Sequence, residues 1–135
     1  MVIGRSAIFK RKLTMYLRLL RPMFWVYDVK VTIAYYEETL GFRCSDSDPE
    51  WGWAEVERDE VSILFATPGT LMPNDGPSFT GSVYISTDDV DEWWNLLRLK
   101  AEILYPIENF EYGMREFAIK DCNGYTIQFG QEIQS

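Results

Sequence analysis

The feature that most constrains this chain of 135 residues is a repeat of its own order of elements on either side of a Pro/Gly-rich midpoint. Setting Asp28-Val29 against Asp89-Val90 aligns Phe24 with Ile85, Ile33 with Trp94 and Tyr36 with Leu97. Each Asp follows an alternating apolar stretch and precedes apolar residues at helical spacing, so each reads as a helix N-cap that accepts first-turn amide hydrogens. Val29, Ile33, Tyr36 and Leu40 form the first helical stripe, which Gly41 ends, and Val90 to Leu99 forms the second helix. Two copies of one unit in a chain this short leave room for a single domain.

In the first half, Arg21 to Tyr27 alternates as a strand, with Phe24 and Val26 on one face and Met23 and Trp25 on the other. Strands are expected at Phe42–Asp46, Trp51–Glu57 and Val61–Ala66, separated by turns at Asp48-Pro49 and Arg58-Asp59-Glu60. The second half repeats this with Ser82–Thr87, a short strand Ile103–Pro106, and a closing hairpin. In that hairpin Phe117 and Ile119 share a face, as do Ile127 and Phe129, and Asp121-Cys122-Asn123-Gly124 supplies turn chemistry.

The expected architecture is therefore α+β. A basic arm covers residues 1–16 and one domain covers 17–133, with module one at about 17–67, a linker at 68–80 and module two at about 81–133. The arm carries no acid, and Met15 is an alternative start for the chain. Residues 1–21 hold six basic side chains, whereas the remainder holds seven against 21 acids, a net −14. A body that acidic repels nucleic acid and attracts cations. No apolar run has the length of a membrane span, which excludes a membrane partner by the usual helical route. Two cysteines without CxxC spacing indicate neither a disulfide framework nor a zinc site, and fit a reducing, cytoplasmic setting. The chain has no histidine, so nucleophile–His triads and the commonest nitrogen metal ligand are both excluded.

Two segments carry a resemblance to a known family. Tyr112-Gly113-x-Arg115-x-Phe117 followed by Asp121-x-x-Gly124-x-x-Ile127-Gln128, together with the Asp28–helix–Leu40-Gly41-Phe42 segment, resembles the vicinal oxygen chelate superfamily of glyoxalases, extradiol dioxygenases and bleomycin-resistance proteins. Cys122 stands where that pattern usually has Pro. The resemblance implies two βαβββ modules whose curved mixed sheets enclose a cavity, commonly completed across a homodimer. It also implies four equivalent strand positions for metal ligands, which in this chain are Arg21, Leu64, Ser82 and Gln128. A guanidinium and an aliphatic side chain do not ligate a divalent cation, so no metal and no other cofactor is expected.

The expected function follows the metal-free bleomycin-resistance branch, binding a small aromatic or cationic molecule such as an antibiotic. Met23, Trp25, Trp51, Trp53, Tyr84, Phe110, Tyr112, Glu116 and Gln128 are the candidate ligand-binding residues. Aromatic faces stack on planar or cationic groups for ~0.5–2 kcal/mol per contact. For Trp51 and Trp53 core and cavity are equal readings, and for the carboxylates solvent exposure competes with ligand contact. Two other readings stay open: a metal-free enzyme using Glu111, Tyr112 or Glu116 as acid or base, and an interaction module with a vestigial cavity.

Overall fold

The computed structural model describes Met15 and residues 17–48, 50–71 and 76–134. Of the expected arm only Met15 falls among these, and Pro49 and part of the midpoint linker also lie outside the described residues. The first unit runs β1 (Met23–Trp25), α1 (Val29–Glu38), β2 (Arg43–Asp48), β3 (Trp53–Arg58) and β4 (Val61–Ala66). The second runs β5 (Val83–Ser86), α2 (Val90–Leu97), β6 (Glu102–Asn109), β7 (Met114–Lys120) and β8 (Thr126–Glu132). Each unit is a four-stranded mixed sheet, ordered β1-β4-β3-β2 and β5-β8-β7-β6, with the first strand parallel to the last. The fold is thus α+β with two βαβββ modules. Among the described residues no helix is long and apolar enough to cross a membrane.

The caps form as the sequence indicates. Asp28 accepts a hydrogen bond from the Val31 amide at 3.1 Å, and Asp89 does the same for Glu92 at 3.1 Å. Gly41 adopts φ +74° after α1, the left-handed conformation that favours glycine, and a Cβ there would lie 2.3 Å from Arg58 Nη1 and push that side chain aside. Two expected boundaries are corrected. β3 begins at Trp53, because Trp51 and Gly52 form the turn from β2, so Trp51 does not share a strand face with Trp53. β6 is longer than expected, running through Pro106 to Asn109, because register shifts on both sides of Tyr105 let the strand continue past the proline.

The helices and one face of each sheet enclose a common core. Phe24, Tyr36, Val56 and Phe65 from module one meet Leu97, Phe117, Tyr125 and Phe129 from module two, with Phe24 and Tyr125 stacked at 4.0 Å. Each module's terminal turn reaches the other module's helix. The Tyr36 hydroxyl donates to Asp121 at 2.7 Å and Asn123 Nδ2 donates to Thr32 at 3.1 Å, while the Arg58 guanidinium lies 4.5 Å from the Trp93 ring centre. Because the shared core takes the helix-bearing faces, the opposite faces of both sheets point away from it. Those open faces carry the candidate site.

Candidate functional site

The open face of module two is built around one carboxylate. Glu116 alternates with the core residues Phe117 and Ile119 and so projects to the opposite side, yet it is only 1% exposed. The Tyr84 hydroxyl donates to Glu116 Oε1 at 2.9 Å, the Tyr105 hydroxyl donates to Oε2, and Gln128 Nε2 donates to Oε2 at 3.2 Å and to the Tyr105 oxygen at 2.7 Å. Ser82 donates to Gln128 Oε1, which turns the amide nitrogen toward Tyr105 and Glu116. Burial leads, and the bonded carboxylate adds, in holding the Tyr105 phenol up at about 12 and the Tyr84 phenol higher still. The Tyr112 phenol is also raised, by desolvation first and then by Glu116. These phenols are neutral at physiological pH.

Charge at this face is unbalanced. Glu108 sits directly opposite Glu116 across β6 and β7, a like-charge pairing that disfavours the sheet. No Lys or Arg among the described residues forms an ion pair with either acid. Arg115, the cation nearest in sequence to Glu116, points to the helix side and bonds Asp91 through Nε at 3.1 Å and Nη2 at 2.8 Å. Beside the acids, Phe110 and Tyr112 stack with ring centres 5.4 Å apart, and Phe110 meets Tyr105 edge-on at 5.7 Å.

Tyr84 reaches Glu116 only because residue 130 is glycine. A Cβ at Gly130 would lie 1.8 Å from the Tyr84 hydroxyl oxygen and 2.5 Å from its ring carbon. The phenol therefore lies down on the sheet over β8, leaving the ring 41% exposed.

The nine sequence candidates divide into three groups. Tyr84, Phe110, Tyr112, Glu116 and Gln128 come together on module two. Met23, Trp25 and Trp53 belong to the open side of module one, where Met23 and Trp25 border a cleft of about 280 Å³ with Phe79 and Tyr125. Trp51, 84% exposed, stands apart in the β2–β3 turn near Tyr27 and Asp28. Tyr105 is the residue that sequence reasoning missed. Simple alternation puts it on the core side with Ile103, but the β-bulge between them turns Tyr105 onto the Glu116 face, where Glu108 also pairs. Pro106 was the available signal, since a proline inside a strand marks an edge or a bulge.

The four positions implied for metal ligands fall in two pairs. Ser82 bonds Gln128 on module two, and on module one Arg21 forms an ion pair at 2.7 Å with Glu55, which sits opposite Leu64. The Ser62 hydroxyl and Arg21 hold the Glu55 carboxyl below its usual range. A guanidinium, an aliphatic chain, a hydroxyl and an amide do not fit a divalent cation. Among the described residues no other group of three or more His, Cys, Asp or Glu is placed to hold one. A cleft of about 470 Å³ between Arg58, Trp93, Phe42 and Phe129 lies on the module-joining side and away from Glu116.

Comparison with known proteins adds the following. Residues 18–129 match the family described as the glyoxalase/bleomycin resistance protein/dioxygenase superfamily. No curated protein matches the chain. Among solved structures, the bleomycin resistance determinant encoded on transposon Tn5 is 22% identical, covers 86% of this chain and 98% of its own, and has a TM-score of 0.69. A bleomycin-binding protein from bleomycin-producing Streptomyces verticillus, solved with copper(II)-bleomycin, is 20% identical over 89% of this chain and 100% of its own, with a TM-score of 0.62. A lactoylglutathione lyase from Agrobacterium tumefaciens is 15% identical over 87% and 95%, with a TM-score of 0.65. At these identities the likeness is one of fold, and it spans a resistance determinant, a binding protein and an enzyme alike.

Proposed function

The chain belongs to the glyoxalase/bleomycin resistance protein/dioxygenase superfamily, and from that premise we propose that it is a metal-independent binder of a small aromatic cation. The observation that carries this reading is Glu116, a buried carboxylate with neutral hydrogen-bond donors, a second carboxylate opposite and no counter-cation among the described residues. A ligand cation over Tyr84, Phe110 and Tyr112 would meet ring faces with a buried negative charge behind them. This is where cation–π attraction gains most, about 2 kcal/mol once water is excluded. The solved bleomycin resistance determinant and bleomycin-binding protein of the same fold support bleomycin as the first probe.

The enzyme reading is weaker. Three donors already occupy a carboxylate that offers about four acceptor positions, leaving little of it open to a substrate proton. We also propose a homodimer, because the open faces point away from the shared core and a second copy would close a cavity over them.

The test is calorimetric titration of the purified protein with bleomycin and with proflavine, a planar cation, with and without chelator. Saturable binding indifferent to chelator, and at least tenfold weaker in Glu116→Gln, is the expected result. Binding that chelator abolishes, or that Glu116→Gln leaves unchanged, would overturn the reading.

A further inference from the structure

The internal repeat makes the two places where the modules meet equivalent, and the described residues fill only one of them. Phe24 pairs with Phe65 and Ile85 with Phe129, so Val61 stands before Phe65 as Tyr125 stands before Phe129. At the first junction the Tyr125 ring of module two lies on Phe24 of module one, with ring centres 4.0 Å and planes 4° apart. Its hydroxyl donates to the Trp25 carbonyl at 2.7 Å. At the second junction Val61 takes the place of Tyr125 and Ile85 that of Phe24, and both are only partly buried. Two aliphatic groups in place of two stacked rings leave volume unfilled, and both border the cleft of about 470 Å³. Trp93 does not replace the missing ring: it stacks on Phe129, is covered by Arg58, and forms one wall of the cleft.

The carbonyl that Tyr125 satisfies has a counterpart as well. The Val26 amide donates to the Ala66 carbonyl and the Thr87 amide to that of Gly130, each at 2.9 Å. Backbone groups of successive strand residues point to opposite sides, and β1 and β5 are edge strands. The Trp25 and Ser86 carbonyls therefore both face away from the paired strand, and Ser86 borders the cleft. Val61 has no hydroxyl to offer it.

We propose that this cleft is a second ligand site, separate from the Glu116 face, and that it takes a small phenol with a cationic tail. The ring lies against Val61 and Ile85 as Tyr125 lies against Phe24, and its hydroxyl donates to the Ser86 carbonyl. The tail's sign follows from the mouth, where Asp59, Glu60, Asp88 and Asp89 face Arg58 as the one cation among the described lining residues. That guanidinium is already engaged by the carbonyls of Leu40 and Gly41. A carboxylate tail would meet net repulsion there.

Tyramine is the probe. Its O-methyl ether keeps the ring and the ammonium but cannot donate, and 4-hydroxyphenylacetate reverses the charge. Two-dimensional NMR titration of the nitrogen-15-labelled protein reads both affinity and place. Tyramine is expected to shift the amides of Val61, Ser86 and Thr87 and the Trp93 indole. The ether should bind about fivefold more weakly, the worth of one net hydrogen bond, and 4-hydroxyphenylacetate should also bind more weakly than tyramine. Equal affinities for tyramine and its ether, or no shifts at those residues, would overturn the proposal. Shifts confined to Tyr84, Tyr112 and Glu116 would overturn the second site and agree with the binding reading above. Shifts at Val61 and Ser86 without any proflavine binding would sink that reading and leave this site standing.

Val61→Tyr copies the filled junction into the open one. It should weaken tyramine binding at least tenfold, raise the urea unfolding midpoint, and leave proflavine affinity unchanged. Undiminished tyramine binding by the folded variant would overturn the proposal. If the variant does not fold, the three-ligand comparison on the unaltered protein decides alone.

Discussion

At the scale of single residues, the site depends on an absent side chain as much as on those present. Gly130 keeps clear the space into which Tyr84 folds, and Tyr84 in turn supplies one of the three hydrogen bonds on Glu116. Gly130→Ala is expected to swing the phenol out toward solvent, since its hydroxyl is the free end of a half-exposed ring. The stability cost should stay at about 1.5 kcal/mol, the low end of the scale for one lost hydrogen bond to a charged acceptor. The Tyr84 phenol should then titrate closer to its ordinary value. Tyr84→Phe removes the same bond, so the two changes together should cost little more than either alone. A double-mutant cycle in urea, read alongside proflavine affinity, checks this, and additive losses would show that Gly130 acts through something other than Tyr84.

At the scale of elements, each module is held by the other's turn. The Arg58 side chain, at the end of β3, donates from Nη1 to the carbonyls of Leu40 and Gly41 at 3.3 Å each, and its guanidinium covers Trp93 on α2. One side chain thus closes the C-terminus of α1 and joins it to the second module. Arg58→Ala should lower stability by about 1–2 kcal/mol, allowing for a partly exposed cation–π contact and two hydrogen bonds. Arg58→Lys should recover less than half of that, because an ammonium cannot reproduce the planar stack. Urea unfolding midpoints give the order, and equal stability of Lys and Arg would remove the stacking argument. β6 shows how an element re-aims residues. Its two bulges convert an apparent Ile–Tyr–Ile core stripe into a strand that gives Ile103 and Ile107 to the core and Tyr105 to the site.

At the scale of the whole molecule, the buried phenols tie folding to alkaline pH. Tyr35 and Tyr105 are pushed up to about 12, chiefly by burial. Tyr36, Tyr84, Tyr112 and Tyr125 are raised as well, with desolvation the first cause in each. A phenol whose folded pKa exceeds its unfolded value favours the folded state fully below about pH 10, and that contribution is lost as pH rises through the folded value. The protein should therefore hold its stability to about pH 10 and lose it steeply above. Phenolate absorbance at 295 nm should lag behind that of free tyrosine and then rise in step with loss of near-ultraviolet circular dichroism. Smooth titration of all eight tyrosines near pH 10 with the fold intact would contradict the buried phenol network.

How much of this was legible in the sequence depends on whether local chemistry or distant register set each feature. The α+β repeat, both Asp caps, the glycine end of α1 and the Asp121 turn were readable because each follows from residues within a few positions of one another. Alternation alone also placed Met23, Trp25, Tyr84, Glu116 and Gln128 on faces turned away from the core. The division of the nine candidates between two sheets, the exclusion of Trp51 and the recruitment of Tyr105 were decided only in the folded chain. Each of these depends on the pairing register between strands and on which face the shared core takes. A bulge moves a side chain from one face to the other without changing a residue of the local pattern. The sequence by itself determined which residues could bear on a ligand, and tertiary packing determined which of them meet around one buried charge.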